Sequence, residues 1–148
     1  MNNVQPTSIP VPECNHPRAC PNCFYCVTAR KESKEDDAIA VLVEEEKRGE
    51  LDVDAEGRGQ VTALHWSCIK GWLRLATMLL DRGADVDKAT DDGATPLFIS
   101  CQNGHLELAR LLIDKGADVD KAMNDGFTPL FICCQNGHLE LAQLLIDK

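Results

Sequence analysis

Apolar and small residues recur at a fixed interval of 33 residues in the second half of the chain. The recurrence holds for four sets of positions: Leu64, Leu97 and Leu130; Cys68, Cys101 and Cys134; Gly71, Gly104 and Gly137; and Ala76, Ala109 and Ala142. A constant period of about 20 to 50 residues is the sequence signature of a solenoid. Each unit is too small to bury its own apolar face, so the pattern predicts units that stack on one another.

Two helices are predicted within each period. Thr95 followed by Pro96 predicts the start of a short inner helix, because threonine caps a helix and proline fits its first turn. Gly104 is expected to end that helix, since glycine accepts the left-handed conformation. A second, outer helix is predicted over residues 106–115, where leucines and alanine form an apolar stripe, and Gly116 is expected to end it.

The repeated residues carry a family resemblance. Two successive units share one set of residues: Thr95, Pro96, Leu97, Gly104, His105, Leu112, Gly116, Ala117 and Asp118 in one, and Thr128, Pro129, Leu130, Gly137 and His138 in the next. These residues resemble the ankyrin-repeat family, whose unit reads DxxGxTPLHxAAxxGHxxxxxxLLxxGADxN. The resemblance covers residues 59–148 and implies an all-α solenoid of stacked helix–turn–helix units with projecting hairpin loops. The chain departs from the family where Phe98 and Phe131 replace its histidine and Ala63 its proline.

The first 58 residues divide into three segments by composition. Residues 1–13 contain three prolines among polar residues, which predicts a disordered tail. Residues 14–31 are rich in cysteine. Residues 32–58 combine an apolar helical face with acidic residues and resemble the outer helix and loop of a degenerate ankyrin unit. We interpret this third segment as a capping unit at the amino-terminal end of the stack.

The cysteine-rich segment is a candidate metal site. Its candidate ligands are Cys14, His16, Cys20, Cys23 and Cys26. Zinc prefers four thiolate or imidazole ligands, so this set predicts a small structural zinc site. Two alternatives stay open: an iron–sulfur or thiol redox site, which the spacing partly resembles, and small apolar positions on the inner helix of the capping unit.

The remaining cysteines and histidines are interpreted as structural. Cys68, Cys101 and Cys134 stand where the family usually has alanine, so they are predicted to pack as small apolar side chains. His105 and His138 stand where the family's histidine fixes the turn between the helices. The sequence contains no recognisable catalytic triad, phosphate-binding loop or zinc-protease motif, and we predict that the chain is not an enzyme.

The net charge of the chain indicates which class of partner it binds. The chain carries a formal charge of -9, and an acidic surface disfavours nucleic acid and favours a basic protein partner. No apolar run is long enough to span a membrane, and the first 30 residues lack the features of a secretory signal. The prediction is an intracellular, cytoplasmic protein with reduced thiols, with the nucleus as the alternative compartment.

The predicted function is protein binding through the concave side of the stack, as the family resemblance implies. The two closest copies differ mostly at the loop tip, where Thr90, Asp91 and Ala94 change to Met123, Asn124 and Phe127. The predicted contacts are exposed tip and inner-helix residues of three units: Arg58, Val61, Ile69 and Lys70; Asp91, Asp92, Ala94, Gln102 and Asn103; and Met123, Asn124, Asp125, Phe127, Gln135 and Asn136. Phe127 beside Met123 is predicted to be an exposed apolar anchor.

Two other functions are kept as alternatives. In one, the cysteine cluster is a zinc-dependent or thiol redox module and the stack is its targeting domain. In the other, the chain is the targeting portion of a larger enzyme. The last unit stops at Lys148, where the preceding unit continues from Lys115 into Gly116, and this predicts a truncated array with further repeats downstream.

Overall fold

The computed structural model describes residues 34–148, and this part of the chain forms seven α-helices and no strand. The helices are α1 (Glu35–Arg48), α2 (Ala63–Lys70), α3 (Leu73–Asp81), α4 (Pro96–Asn103), α5 (Leu106–Asp114), α6 (Pro129–Asn136) and α7 (Leu139–Ile146). A short 3-10 turn, Arg58–Gln60, precedes α2. The predicted tail and the cysteine-rich segment with its candidate zinc ligands lie outside the described residues.

The helices form two stacked layers. Three inner helices pack in succession, α2 on α4 and α4 on α6, while α1, α3, α5 and α7 pack in the same way as an outer layer. A two-residue turn joins the inner and outer helix of each unit, for example Gly104 and His105 between α4 and α5. The predicted all-α ankyrin-type solenoid is confirmed.

The helix boundaries follow from the predicted caps. The side chain of Thr95 accepts a hydrogen bond from the backbone N–H of Phe98 (3.2 Å), and Thr128 caps the next inner helix in the same way. Gly104 has a φ of 77°, the left-handed conformation that ends a helix without the strain a side chain would add. The local signals in the sequence therefore set the length of each inner helix.

The first unit begins with a different cap, which depends on His65. Nδ1 of His65 accepts a hydrogen bond from the backbone N–H of Thr62 (3.0 Å), and Nε2 faces the carbonyl oxygen of Lys88 (2.9 Å). A carbonyl oxygen only accepts, so Nε2 carries the ring proton and donates it. The fully buried imidazole thus joins the start of α2 to the loop of the next unit.

Helix α1 takes the place of an outer helix on the first unit. The carboxylate of Glu35 accepts a hydrogen bond from the backbone N–H of Leu75 (2.9 Å) at the start of α3. Ala38 and Leu42 of α1 are fully buried in the common core. The predicted apolar face of this segment therefore packs against the stack, as an outer helix of the repeat does.

The stacking of successive units uses the same contacts in each interface. A methyl group at Gly71 would lie 2.8 Å from Cε1 of His105, and one at Gly104 would lie 2.7 Å from Cε1 of His138. The imidazole of each unit thus fills the space that the glycine of the preceding unit leaves open. Among the described residues nothing comes within 4 Å of the corresponding methyl position at Gly137.

The trailing face of the last unit is uncovered within the part of the chain described. Phe98 is 3% exposed, whereas Phe131 at the same repeat position is 45% exposed. The cysteines behave in the same way: Cys68 and Cys101 are buried as predicted, but the prediction that Cys134 packs inside the stack is wrong. The reason is that burial at this position comes from the following unit.

Candidate partner-binding groove

Three hairpin tips project beside the inner helices. Each tip is closed by two backbone hydrogen bonds, such as Thr90 N–H to Ala94 O (3.0 Å) and Gly93 N–H to Thr90 O (2.8 Å), and equivalent bonds close residues 57–61 and 123–127. The tips are also bonded to each other, since Asp91 N–H donates to Gly59 O (2.9 Å) and Asn124 N–H donates to Asp92 O (3.0 Å). The tips therefore form one connected edge at fixed spacing.

A groove of about 460 Å³ lies between this edge and the inner helices. It is lined by residues from the tips and from α2 and α4: Gly59, Val61, Ile69, Thr90, Asp91, Asp92, Ala94, Phe98, Ile99, Gln102 and Met123. We call this set the tip groove. It is partly open to solvent, and its lining residues come from three successive units.

The tip groove combines an apolar floor with an acidic rim. Ile69 is 39% exposed, and Phe98 and Ile99 present the edges of largely buried side chains. Asp91 and Asp92 are exposed at the tip of the second hairpin. An apolar centre with a polar rim is the arrangement typical of protein-binding surfaces.

Seven of the predicted contact residues line the tip groove: Val61, Ile69, Asp91, Asp92, Ala94, Gln102 and Met123. Ala94 contributes little surface to the groove, because its side chain is only 7% exposed and packs in the core. The expectation that this position is exposed is therefore wrong. The equivalent Phe127 is exposed, since among the described residues no unit stacks on it.

The predicted residues outside the tip groove are largely held by contacts within the stack. The side-chain amide of Asn124 donates to Asp91 O (2.9 Å), and that of Asn136 donates to Gln102 O (3.0 Å), so both connect successive units. The amide of Asn103 donates to Ile99 O in its own helix (2.8 Å). The structure thus gives these asparagines a stacking or helix-capping role.

The two predicted cations of the first unit, Arg58 and Lys70, do not line the tip groove. Nζ of Lys70 lies 4.3 Å from the ring centroid of Trp72 and 6.0 Å from that of Trp66, which is cation–π geometry. Partial burial lowers the pKa of the Lys70 ammonium group to about 8. Arg58 is exposed and also interacts within the chain.

Phe127, the predicted anchor, lies on the uncovered trailing face. Its ring stacks on Phe131 with centroids 4.7 Å apart and an angle of 4° between the ring planes. Asp125 and Gln135 are exposed in the same unit. These residues lie beyond Met123, which is the contribution of the last unit to the tip groove.

Three side chains of the tip groove were missed by the sequence analysis: Thr90, Phe98 and Ile99. Thr90 differs between the two closest copies but is not among the predicted contacts, although its hydroxyl donates to Asp92 and so shapes the rim. Phe98 and Ile99 follow the helix-starting Thr95–Pro96, and the helical repeat places them beside Gln102. The signal was the replacement of a family histidine by phenylalanine, which places an apolar ring in the floor.

The buried thiols are unsuited to redox or nucleophilic chemistry. Burial raises the pKa of the Cys68 thiol to about 12, and burial likewise raises the pKa of Cys101 and of Cys133. The reactive form of cysteine is the thiolate, which these pKa values keep scarce at neutral pH. The surroundings of these three cysteines therefore favour a packing role for their side chains.

Two further features concern only residues 34–148. Within that range no group of three or more His, Cys, Asp or Glu side chains is arranged to hold a metal ion. No helix there is long and apolar enough to cross a membrane.

Comparisons with known proteins identify the family. A family model described as ankyrin repeats, in three copies, matches residues 73–148, which is just over half of the chain. No curated protein matches it. The matched region begins at α3 and includes the two most similar units. The layered helices, the glycine–imidazole contacts and this match agree, and the chain belongs to the ankyrin-repeat family.

Proposed function

We propose that this protein binds another protein through the tip groove, which receives an extended segment of the partner. Ankyrin repeats are in general protein–protein interaction modules. The observation that carries the proposal is the open groove of about 460 Å³, built from the hairpin tips and inner helices of successive units.

The bonded hairpin tips support the groove as a preformed site. Because Asp91 and Asn124 donate backbone hydrogen bonds to the preceding tip, the rim is ordered before a partner arrives. Gly93 allows this close approach, since a methyl group there would lie 2.8 Å from the backbone nitrogen of Asn124. A preformed site binds more tightly because less conformational entropy is lost on binding.

Ile69 offers a direct test, because the chain contains a matched control. Ile69 and Leu73 are each 39% exposed, but Ile69 lines the tip groove and Leu73 begins the outer helix α3. The equivalents of Ile69 in later units are Gln102 and Gln135, so Ile69→Gln introduces a residue that the repeat accepts. Leu73→Gln removes the same kind of apolar surface from the outer side.

The partner is first identified by photo-crosslinking from position Gln102, with position Glu140 on the outer layer as the control. The purified partner is then titrated against the two variants. We expect Ile69→Gln to weaken binding about fivefold, from the lost burial of the exposed part of the side chain, and Leu73→Gln to leave it unchanged. Equal effects of the two variants would refute the proposed surface.

A further inference from the structure

We infer that the segment received by the tip groove carries a lysine or arginine side chain next to an apolar one. This inference rests on the proposed function and adds the chemistry of the partner. It follows from the charges that line the groove, the hydrogen bonds those charges already make, and the position of the apolar floor.

The charge of the tip groove is entirely acidic. Of the residues that line it, only Asp91 and Asp92 are charged, and both are exposed at one hairpin tip. The two predicted cations of the first unit, Arg58 and Lys70, are not part of the lining and interact with other groups of the chain. The net charge of -9 extends the same preference to longer range.

The carboxylates at this tip have free hydrogen-bonding capacity. Within residues 34–148 the carboxylate of Asp91 makes no hydrogen bond or ion pair; only its backbone groups are used. One oxygen of Asp92 accepts from the Thr90 hydroxyl and, at 3.4 Å, from the Ala94 N–H, and its other oxygen accepts no hydrogen bond there. A guanidinium or ammonium group supplies the donors that these oxygens lack.

The apolar floor sets what lies next to the cation. Val61, Ile69 and Met123 are partly exposed and line the same groove as the two aspartates. The aliphatic stem of a lysine or arginine packs on such a surface while its head reaches the rim. A neighbouring apolar side chain fills the rest of the floor. A basic residue beside an apolar one therefore matches both the acidic rim and the apolar floor of the groove.

Selection from a phage-displayed library of random 12-residue peptides tests this without knowledge of the natural partner. The selection uses the full chain, and each enriched peptide is synthesised and titrated. Binding must first be weakened by Ile69→Gln and not by Leu73→Gln, which assigns it to the tip groove. The expected result is that groove-dependent peptides contain Lys or Arg within two positions of an apolar residue.

Charge variants separate the groove from general attraction to an acidic protein. Asp91→Asn introduces the residue that Asn124 provides at the same position of the next unit, and it is combined with Asp92→Asn. The control, Asp114→Asn with Glu140→Gln, removes the same charge from the outer helices. We expect the first double variant to weaken binding about 3- to 10-fold, and the control to change it by less than about twofold.

The outcomes distinguish this inference from the proposed function. Groove-dependent peptides without an excess of basic residues would overturn the inference and leave the proposed function standing. Equal losses in the two double variants would overturn it as well, since the attraction would then be non-specific. If no enriched peptide depends on Ile69, the proposed function fails and the inference fails with it.

Discussion

The buried imidazole of His65 is expected to make the stability of the protein depend on pH. Burial lowers the pKa of His65 from 6.5 to about 4, because the charged ring would lose its hydration. In the unfolded chain the ring is exposed and takes up a proton near its ordinary pKa. Between pH 6.5 and pH 4 the unfolded state therefore binds more protons, and stability falls as the pH falls.

The size of the effect follows from the two pKa values. A pKa difference of one unit corresponds to about 1.4 kcal/mol. Lowering the pH from 7 to 5 covers most of the interval in which only the unfolded state takes up the proton, because the pKa of His65 is 6.5 in the unfolded chain and about 4 in the folded one. The free energy of unfolding should then drop by about 2 kcal/mol from this one group. Most carboxylates stay ionised above pH 5, so they add little to the change over this interval.

Urea unfolding at pH 7, 6 and 5 measures the effect, with tryptophan fluorescence as the signal. Both tryptophans of the chain, Trp66 and Trp72, lie in the same unit as His65. His65→Phe is the informative variant, because Phe98 and Phe131 occupy the equivalent positions of the later units. The variant loses the hydrogen bond to Lys88, so its dependence on pH is compared and its absolute stability is not.

We expect the wild type to lose about 2 kcal/mol between pH 7 and pH 5, and the variant to lose most of that dependence. A wild-type free energy of unfolding that is flat over this interval would refute the assignment of a buried neutral ring. The same slope in His65→Phe would show that another group titrates.

Two further predictions concern the stacking contacts and the thiols. Gly104→Ala and Gly137→Ala impose the same backbone strain, but only Gly104→Ala places a methyl group against His138. We therefore expect urea unfolding to show that Gly104→Ala is less stable than Gly137→Ala by about 1–2 kcal/mol. Equal losses would show that the imidazole moves aside freely. Site-resolved alkylation of the native protein should modify the exposed Cys134 well before the buried Cys101, and comparable rates would contradict the assigned burial.

The architecture could be predicted from the sequence because its signals are local and repeated. Thr95 and Gly104 mark the two ends of an inner helix whichever units surround it, and both predictions are confirmed. The stacking follows from the period alone, since identical units present identical faces. Prediction was wrong where a property depends on the neighbouring unit, as for the buried Ala94 and the exposed Cys134.

The groove was predicted only in part. Comparison of two near-identical units pointed to the hairpin tip, and Asp91 and Asp92 do line the groove. Phe98 was missed because its place in the floor depends on how α4 packs between its neighbours, although the replacement of a family histidine by phenylalanine marked the position. The hydrogen bonds that occupy Asn124 and Asn136 also follow from the distance between units, which is a property of the folded stack.

Whether the tip groove is the binding surface is decided by mapping the residues that a bound partner covers. Backbone amide resonances of the isotope-labelled chain are followed by NMR while the crosslinked partner, once identified, is added. We expect the shifts to concentrate in residues 57–61, 90–94 and 96–103 and at Ile69 and Met123, with the outer helices α3 and α5 little changed. Shifts confined to the outer helices, or to the trailing face around Phe127 and Phe131, would contradict it.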